Sequence, residues 1–136
     1  MLTMSLRTNG VDDAVDLTSR IREAVTAAGL SEGAVLVYCR HTTAGLMINE
    51  GADPDVLRDV MVTLGRMVPR DGDYHHAEGN SSAHIRAILV GNSVMIPVSG
   101  GNLALGTWQH VFFMEFDGPR SREVCVQMLA DGVGHA

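Results

Sequence analysis

The stretch His41-Thr-Thr-Ala-Gly-Leu-Met-Ile-Asn-Glu50 decides how this chain is read. Its middle alternates as a strand does. Ala44, Leu46 and Ile48 fall on one face, and Gly45, Met47 and Asn49 fall on the other. Reactive side chains stand at both ends: His41, Thr42 and Thr43 at the start, Asn49 and Glu50 at the finish. A surface strand has no need of that set, whereas the wall of a site does. Glu50 reads as a general base or as a carboxylate that orients a histidine, with Asn49 beside it. A purely structural role, neutralising Arg58 or capping the following turn, is the competing reading of Glu50.

Working outward, the flanking segments read as regular elements. Residues 2–7 alternate as a strand. Asp12 or Asp13 is placed to cap a helix running to about Ala28, with Gly29 as its stop. Residues 34–40, AVLVYCR, form an apolar strand, and 44–49 form the next. Asp53-Pro54 opens a helix that Pro69 ends. Residues 70–82 form a polar loop of the kind that grips ligands. Ser82 can cap a short helix carrying His84 and Arg86. Residues 93–98 form a strand and Gly100-Gly101-Asn102 a turn. Residues 107–117 and 122–129 read as two strands joined in a hairpin at Asp117-Gly118-Pro119. The expected class is α+β in one domain spanning 1–136: mostly antiparallel, sandwich-like sheets with two main helices and a short third.

Composition excludes several chemistries. The chain of 136 residues carries a net charge of −6, and its ten basic residues are all arginine. Scattered arginines on an acidic chain oppose nucleic-acid binding. Without lysine there is no Schiff-base, P-loop or pyridoxal-phosphate anchor. Any phosphate must be held by arginine, hydroxyls, backbone N–H groups or a metal. No apolar run approaches the roughly 18 residues that span a membrane. The N-terminus MLTMSLRTNG lacks the pattern of a secretion signal, so a cytoplasmic location without membrane partners is expected. Cys39 and Cys125 read as reduced core residues, with a catalytic thiol at Cys39 as the alternative.

Five of the six histidines lie in polar clusters, and His135 at the tail reads as disordered and idle. The clusters are HTTAGLMINE, Tyr74 to Gly79, Ser82 to Arg86, and Gly106 to His110. HTTAGLMINE, then Ala52-Asp53-Pro54-Asp55, then His76-Ala77-Glu78-Gly79, Ala83-His84-Ile85-Arg86-Ala87 and Leu105-Gly106-Thr107-Trp108-Gln109 resemble the YjbQ-like family, also called uncharacterised protein family 0047. The resemblance runs from about Val35 to Leu129. It implies a compact α+β subunit that forms a homotrimer. It also implies an activity like that of a secondary thiamine-phosphate synthase, a transferase joining a pyrimidine diphosphate to a thiazole phosphate. His75 and His110 stand outside the family pattern.

The resemblance singles out His41, His76 and His84 as metal ligands. Three imidazoles and a water make an open zinc site, whereas magnesium prefers carboxylates and phosphates. Zinc is therefore the favoured divalent metal. The same histidines would equally serve as hydrogen-bonding groups without metal. Substrate contacts are expected from Thr42, Thr43, Arg86, the turn at Gly101, and Thr107, Trp108 and Gln109. Strand 107–117 is apolar on both faces, which suits one face on a helix layer and one on another subunit. The expected function is a small metal-assisted enzyme acting on a phosphorylated or anionic metabolite. A zinc-dependent hydrolase, or a non-enzymatic trimer that binds metal or ligand, is the alternative.

Overall fold

Alternation of buried and exposed residues builds both sheets, and their two inner faces make the core. The computed structural model describes residues 1–132. Its strands are β1 (Leu2–Arg7), β2 (Asp13–Asp16), β3 (Gly33–Tyr38), β4 (Ala44–Glu50), β5 (Ser93–Ser99), β6 (Asn102–Leu103), β7 (Gln109–Glu115) and β8 (Ser121–Ala130). Its helices are α1 (Thr18–Ala28), α2 (Pro54–Met67) and α3 (Ser81–Val90). A five-stranded sheet has the order β1-β8-β3-β5-β6, and a three-stranded sheet has the order β2-β7-β4. Every pairing is antiparallel. The α+β class holds. No helix among the described residues is long and apolar enough to cross a membrane.

Between the sheets, Val35, Val37, Ile96, Val124 and Val126 meet Leu46, Val111 and Phe113, with Ile21 and Val25 of α1 closing the side. The opposite face of β7 carries Phe112 and Met114, which with Phe116 pack under Ala83 and Ala87 of α3 and Leu57, Val60, Met61 and Leu64 of α2. Both apolar faces of β7 are thus covered within one chain. The face left without a layer lies elsewhere. On the outer side of the five-stranded sheet, Ala34, Leu36 and Tyr38 of β3 align with Pro97, Met95 and Ser93 of β5. Leu129, Gln127 and Cys125 of β8 flank them on the other side.

Three expectations need correction. Residues 13–16 are strand β2 on the edge of β7, not helix, and α1 starts at Thr18. Asp16, rather than Asp12 or Asp13, serves the first turn. Its Oδ1 accepts the Thr18 N–H at 2.9 Å and the Thr18 hydroxyl at 2.6 Å. Pairing to an open sheet edge outweighs local helix propensity here. Second, β7 and β8 are not a hairpin: they belong to different sheets, and residues 116–120 turn the corner between them. Third, Ser82 is not a cap. Asn80 holds the N-cap position of α3, and Ser82 is buried inside the first turn.

Arg86 locks this architecture. Residues two apart on a helix point about 200° apart, so His84 and Arg86 face different ways. The Arg86 Nε and Nη2 donate to the Val68 carbonyl at 3.0 and 2.9 Å, and Nη1 donates to Asp12 Oδ1 at 3.2 Å. The side chain is buried and caps the end of α2. It is therefore a clasp between α3, α2 and the β1–β2 link, not an anion clamp. Arg86→Ala should destabilise the fold by about 1.5–3 kcal/mol, the range for charged hydrogen bonds, while leaving anion affinity unchanged. Denaturant unfolding and calorimetric titration with phosphate measure the two effects separately.

Candidate functional site

The site grows from the point where β3 ends. The Cys39 N–H bonds the Asn92 carbonyl at 2.7 Å. Its thiol donates to the carbonyls of His41 and Ala44 at 3.8 and 3.7 Å. Burial pushes that thiol up, which fits a core residue rather than a nucleophile. Residues 39–43 thus leave the five-stranded sheet and enter β4 of the other sheet. Thr43 is buried there, and its Oγ1 accepts from Arg122 Nη2 at 2.9 Å. Behind it, Arg122 Nε bonds Glu115 Oε1 at 2.8 Å and Nη2 bonds Oε2.

His41 is held beside this pair. Its Nε2 accepts the Glu123 N–H at 3.0 Å, which assigns the proton to Nδ1 in the neutral ring. Burial first, and the Arg122 guanidinium second, lower its pKa. Opposite stands His84, from the first turns of α3. The His76 ring lies 5.4 Å from that of His84, edge to face. His76 Nε2 is 3.8 Å from Glu78 Oε2.

Two adjoining cavities open here. One, of about 370 Å³, is lined by Arg40, Arg120, Arg122, Glu78, Asp117 and Asn80 together with His41, Thr42, Thr43 and His84. The other, of about 470 Å³, shares His41, Thr42 and His84 and adds Ala44, Ala87, Ile88, Gly91 and Asn92. A close approach shapes it: a Cβ on Gly45 would come 2.5 Å from the Gly91 carbonyl oxygen. In the polar lobe, Arg120 pairs with Asp117 at 3.2 Å and Arg122 with Glu115. Arg40 has no carboxylate partner among the described residues. The Asn80 amide donates to Asp117 at 2.9 Å, and its Oδ1, buried, has no partner among the described residues.

Of the residues expected at a site, His41, Thr42, Thr43 and His84 share this cleft, and His76 stands against His84. The others do not. A strand separates its two ends, and six residues of β4 place Glu50 roughly 20 Å from Ala44. Asn49 and Glu50 sit at that far end with Gln109, the partner of Glu50. The Asn49 side chain accepts the Glu50 N–H at 2.7 Å. Thr107 and Trp108 lie there too, on the turn before β7 rather than on a strand, and Trp108 is 61% exposed. Gly101 is at a third place, where its N–H bonds the Ser31 carbonyl at 3.0 Å. The Gly100 N–H is taken by Glu32. That turn offers no free amide cradle.

The metal set fares similarly. Among the described residues of one chain, no three His, Cys, Asp or Glu side chains converge to hold a metal ion. His41 Nε2 accepts the backbone N–H of Glu123. The sequence reading missed Arg40, Asn80, Asp117, Arg120 and Arg122. One signal was available: Arg122 alternates with Val124 and Val126, which puts a charge on the core face of a strand. His110, outside the family pattern, pairs with Asp16 at 2.6 Å at the far end of β7.

Comparison places the chain plainly: it belongs to the family described as UPF0047 protein YjbQ-like, which matches residues 2–131. A UPF0047 protein of Methanocaldococcus jannaschii is 44% identical over 126 residues, covering 93% of this chain and 91% of its own. The UPF0047 protein YugU of Bacillus subtilis is 41% identical over 128 residues, covering 93% and 97%. Among solved structures, a YjbQ/UPF0047 family protein of Clostridium acetobutylicum superposes with a TM-score of 0.93 at 50% identity, over 95% of this chain and 100% of its own.

The lowered pKa of His41 sets a pH dependence. The unfolded chain takes up a proton near pH 6.5 that the folded one resists. The stabilising contribution of His41 is whole above that value and is lost as pH falls through the lowered folded pKa. His41→Gln should flatten the loss of stability just below pH 6.5, measured by urea unfolding at stepped pH. An unchanged slope in the variant would show that His41 does not govern this window.

Proposed function

We propose that the cleft between α3 and the 39–43 crossing binds a small anionic or phosphorylated metabolite and carries out proton transfer on it. The observation that carries this reading is the convergence of Arg40, Arg122, Thr42, His41 and His84 on one cleft. Lysine-free recognition must use such donors. Arg122 Nη1 makes no hydrogen bond to the described residues, and it belongs to a side chain that lines the cleft. The His41 tautomer leaves an Nδ1–H available as a donor. His84 is the proton-transfer group, a role the sequence had pointed to Glu50 for.

A transferase reaction of the thiamine-phosphate synthase kind, located in the cytoplasm, is a less well supported variant, since two of the three arginines lining the cleft already have carboxylate partners. It brings phosphate-bearing substrates together and releases pyrophosphate. A zinc-dependent hydrolysis is less well supported, since the ligand set is not assembled within one chain. A second reading, a binder without turnover, draws support from the distance of Glu50 and Asn49 from the cleft. Arg40→Ala should weaken binding of inorganic phosphate roughly tenfold or more, the loss of one charged hydrogen bond. Calorimetric titration decides, and equal affinities would remove Arg40 from the site. His84→Gln separates the two readings, because an enzyme loses turnover on its substrate whereas a binder keeps its affinity.

We also propose a homotrimer, resting on a different surface from the one strand 107–117 suggested. The outer face of the five-stranded sheet is uncharged at Ala34, Leu36, Tyr38, Met95, Pro97, Cys125, Gln127 and Leu129. Met95 is 57% exposed and Leu129 40%. A chain of net charge −6 repels its copies except through such a face. Met95→Glu should convert a trimer into monomers in sedimentation analysis. A wild-type monomer at micromolar concentration would overturn the assembly.

A further inference from the structure

The two cavities of the cleft have unlike linings and a common wall. His41, Thr42 and His84 border both. The lobe of about 370 Å³ is lined by Arg40, Arg120 and Arg122, with the carboxylates Glu78 and Asp117. The lobe of about 470 Å³ has no Asp, Glu or Arg in its lining and is floored by Ala44 and Gly91. Helix α3 roofs the wall and the second lobe with one stripe: His84, Ala87 and Ile88 follow the i, i+3, i+4 spacing of a single helix face.

Resting on the anion-binding reading above, we infer that the ligand is a two-part molecule: one anionic group, a phosphomonoester or carboxylate, joined to a compact uncharged body. The anion sits among the arginines and the body lies under Ala87 and Ile88. The bond joining them then falls at His41, Thr42 and His84, where a proton can be given or taken at the bridging atom.

Charge bookkeeping limits the ligand to one anion. Asp117 and Glu115 already pair with Arg120 and Arg122. Glu78, 3.8 Å from His76, adds a further carboxylate to the lining of the same lobe. Arg40 is the cation left over, and His41 is kept neutral by burial and by Arg122. A second anionic group would have to enter the uncharged lobe, losing hydration with no partner to replace it. The two volumes together fall in the range of ordinary small-molecule sites.

The test compares inorganic phosphate, pyrophosphate and phenyl phosphate by calorimetric titration into the full chain. Phenyl phosphate should bind roughly tenfold tighter than phosphate, as expected when about half of a phenyl ring is taken from water. Pyrophosphate should gain nothing over phosphate. Ile88→Asn, at a position 79% exposed and so tolerant of change, should erase the phenyl advantage and leave phosphate affinity unaltered. Arg40→Ala should weaken phosphate and phenyl phosphate by the same factor. Equal binding of phosphate and phenyl phosphate, or pyrophosphate binding more tightly than either, overturns the two-part ligand while leaving the anion site standing. Failure of all three to bind removes the anion site itself, and this inference with it.

Discussion

The Glu115 carboxylate, fully buried where the two sheets meet, is the group around which the rest of the chain is arranged. Burial alone would push its pKa up. The Arg122 guanidinium, the Thr8 hydroxyl and the Asp117 N–H outweigh that and hold it below the ordinary carboxylate value. Four segments meet at this one group. Glu115 ends β7, Arg122 stands near the start of β8, and Thr8 follows β1 and donates at 2.8 Å. Thr43, immediately before β4, is tied in through Arg122. A buried pair of this kind is not a large net source of stability, but breaking it by removing one partner typically costs about 3–5 kcal/mol. Its value here is positional: it sets where β7 turns the corner into β8 and where the 39–43 crossing enters β4.

The cleft inherits its geometry from that group. Arg122 forms part of the floor, Thr43 is bonded to it, and His41 rests on the backbone of Glu123, the next residue. The opposite wall comes from α3, which lies on β4 with its small residues Ala83 and Ala87 against the sheet. The same helix turns His84 toward the cleft and Arg86 toward the end of α2. One ten-residue helix thereby serves the site on one side and the scaffold on the other.

Charge in the cleft is nearly balanced, since two of its three arginines already have carboxylate partners. Discrimination between ligands must then rest on the direction of hydrogen-bond donors and on the shape of the two lobes more than on net attraction. That follows from a chain that is acidic overall and has no lysine.

Periodicity was enough to reveal β1, β3, β4, α2 and β5, because each carries its own apolar rhythm and, in α2, its own Asp53-Pro54 start. Family motifs in the sequence were enough to identify the kinship and to bring His41, Thr42, Thr43 and His84 forward. The sequence could not show that β7 and β8 part into separate sheets, since two alternating strands around a Gly-Pro turn look the same either way. Nor could it show β2, whose four residues pair only because β7 offers an open edge. Only the tertiary structure separated the two ends of HTTAGLMINE into different neighbourhoods. Only it turned Arg86 inward as a clasp and placed Arg40, Arg120 and Arg122 beside the histidines. The physical reason is that local patterns fix which face a side chain occupies, whereas neighbours distant in sequence depend on how the sheets stack. Here that stacking is set by one buried carboxylate and its guanidinium.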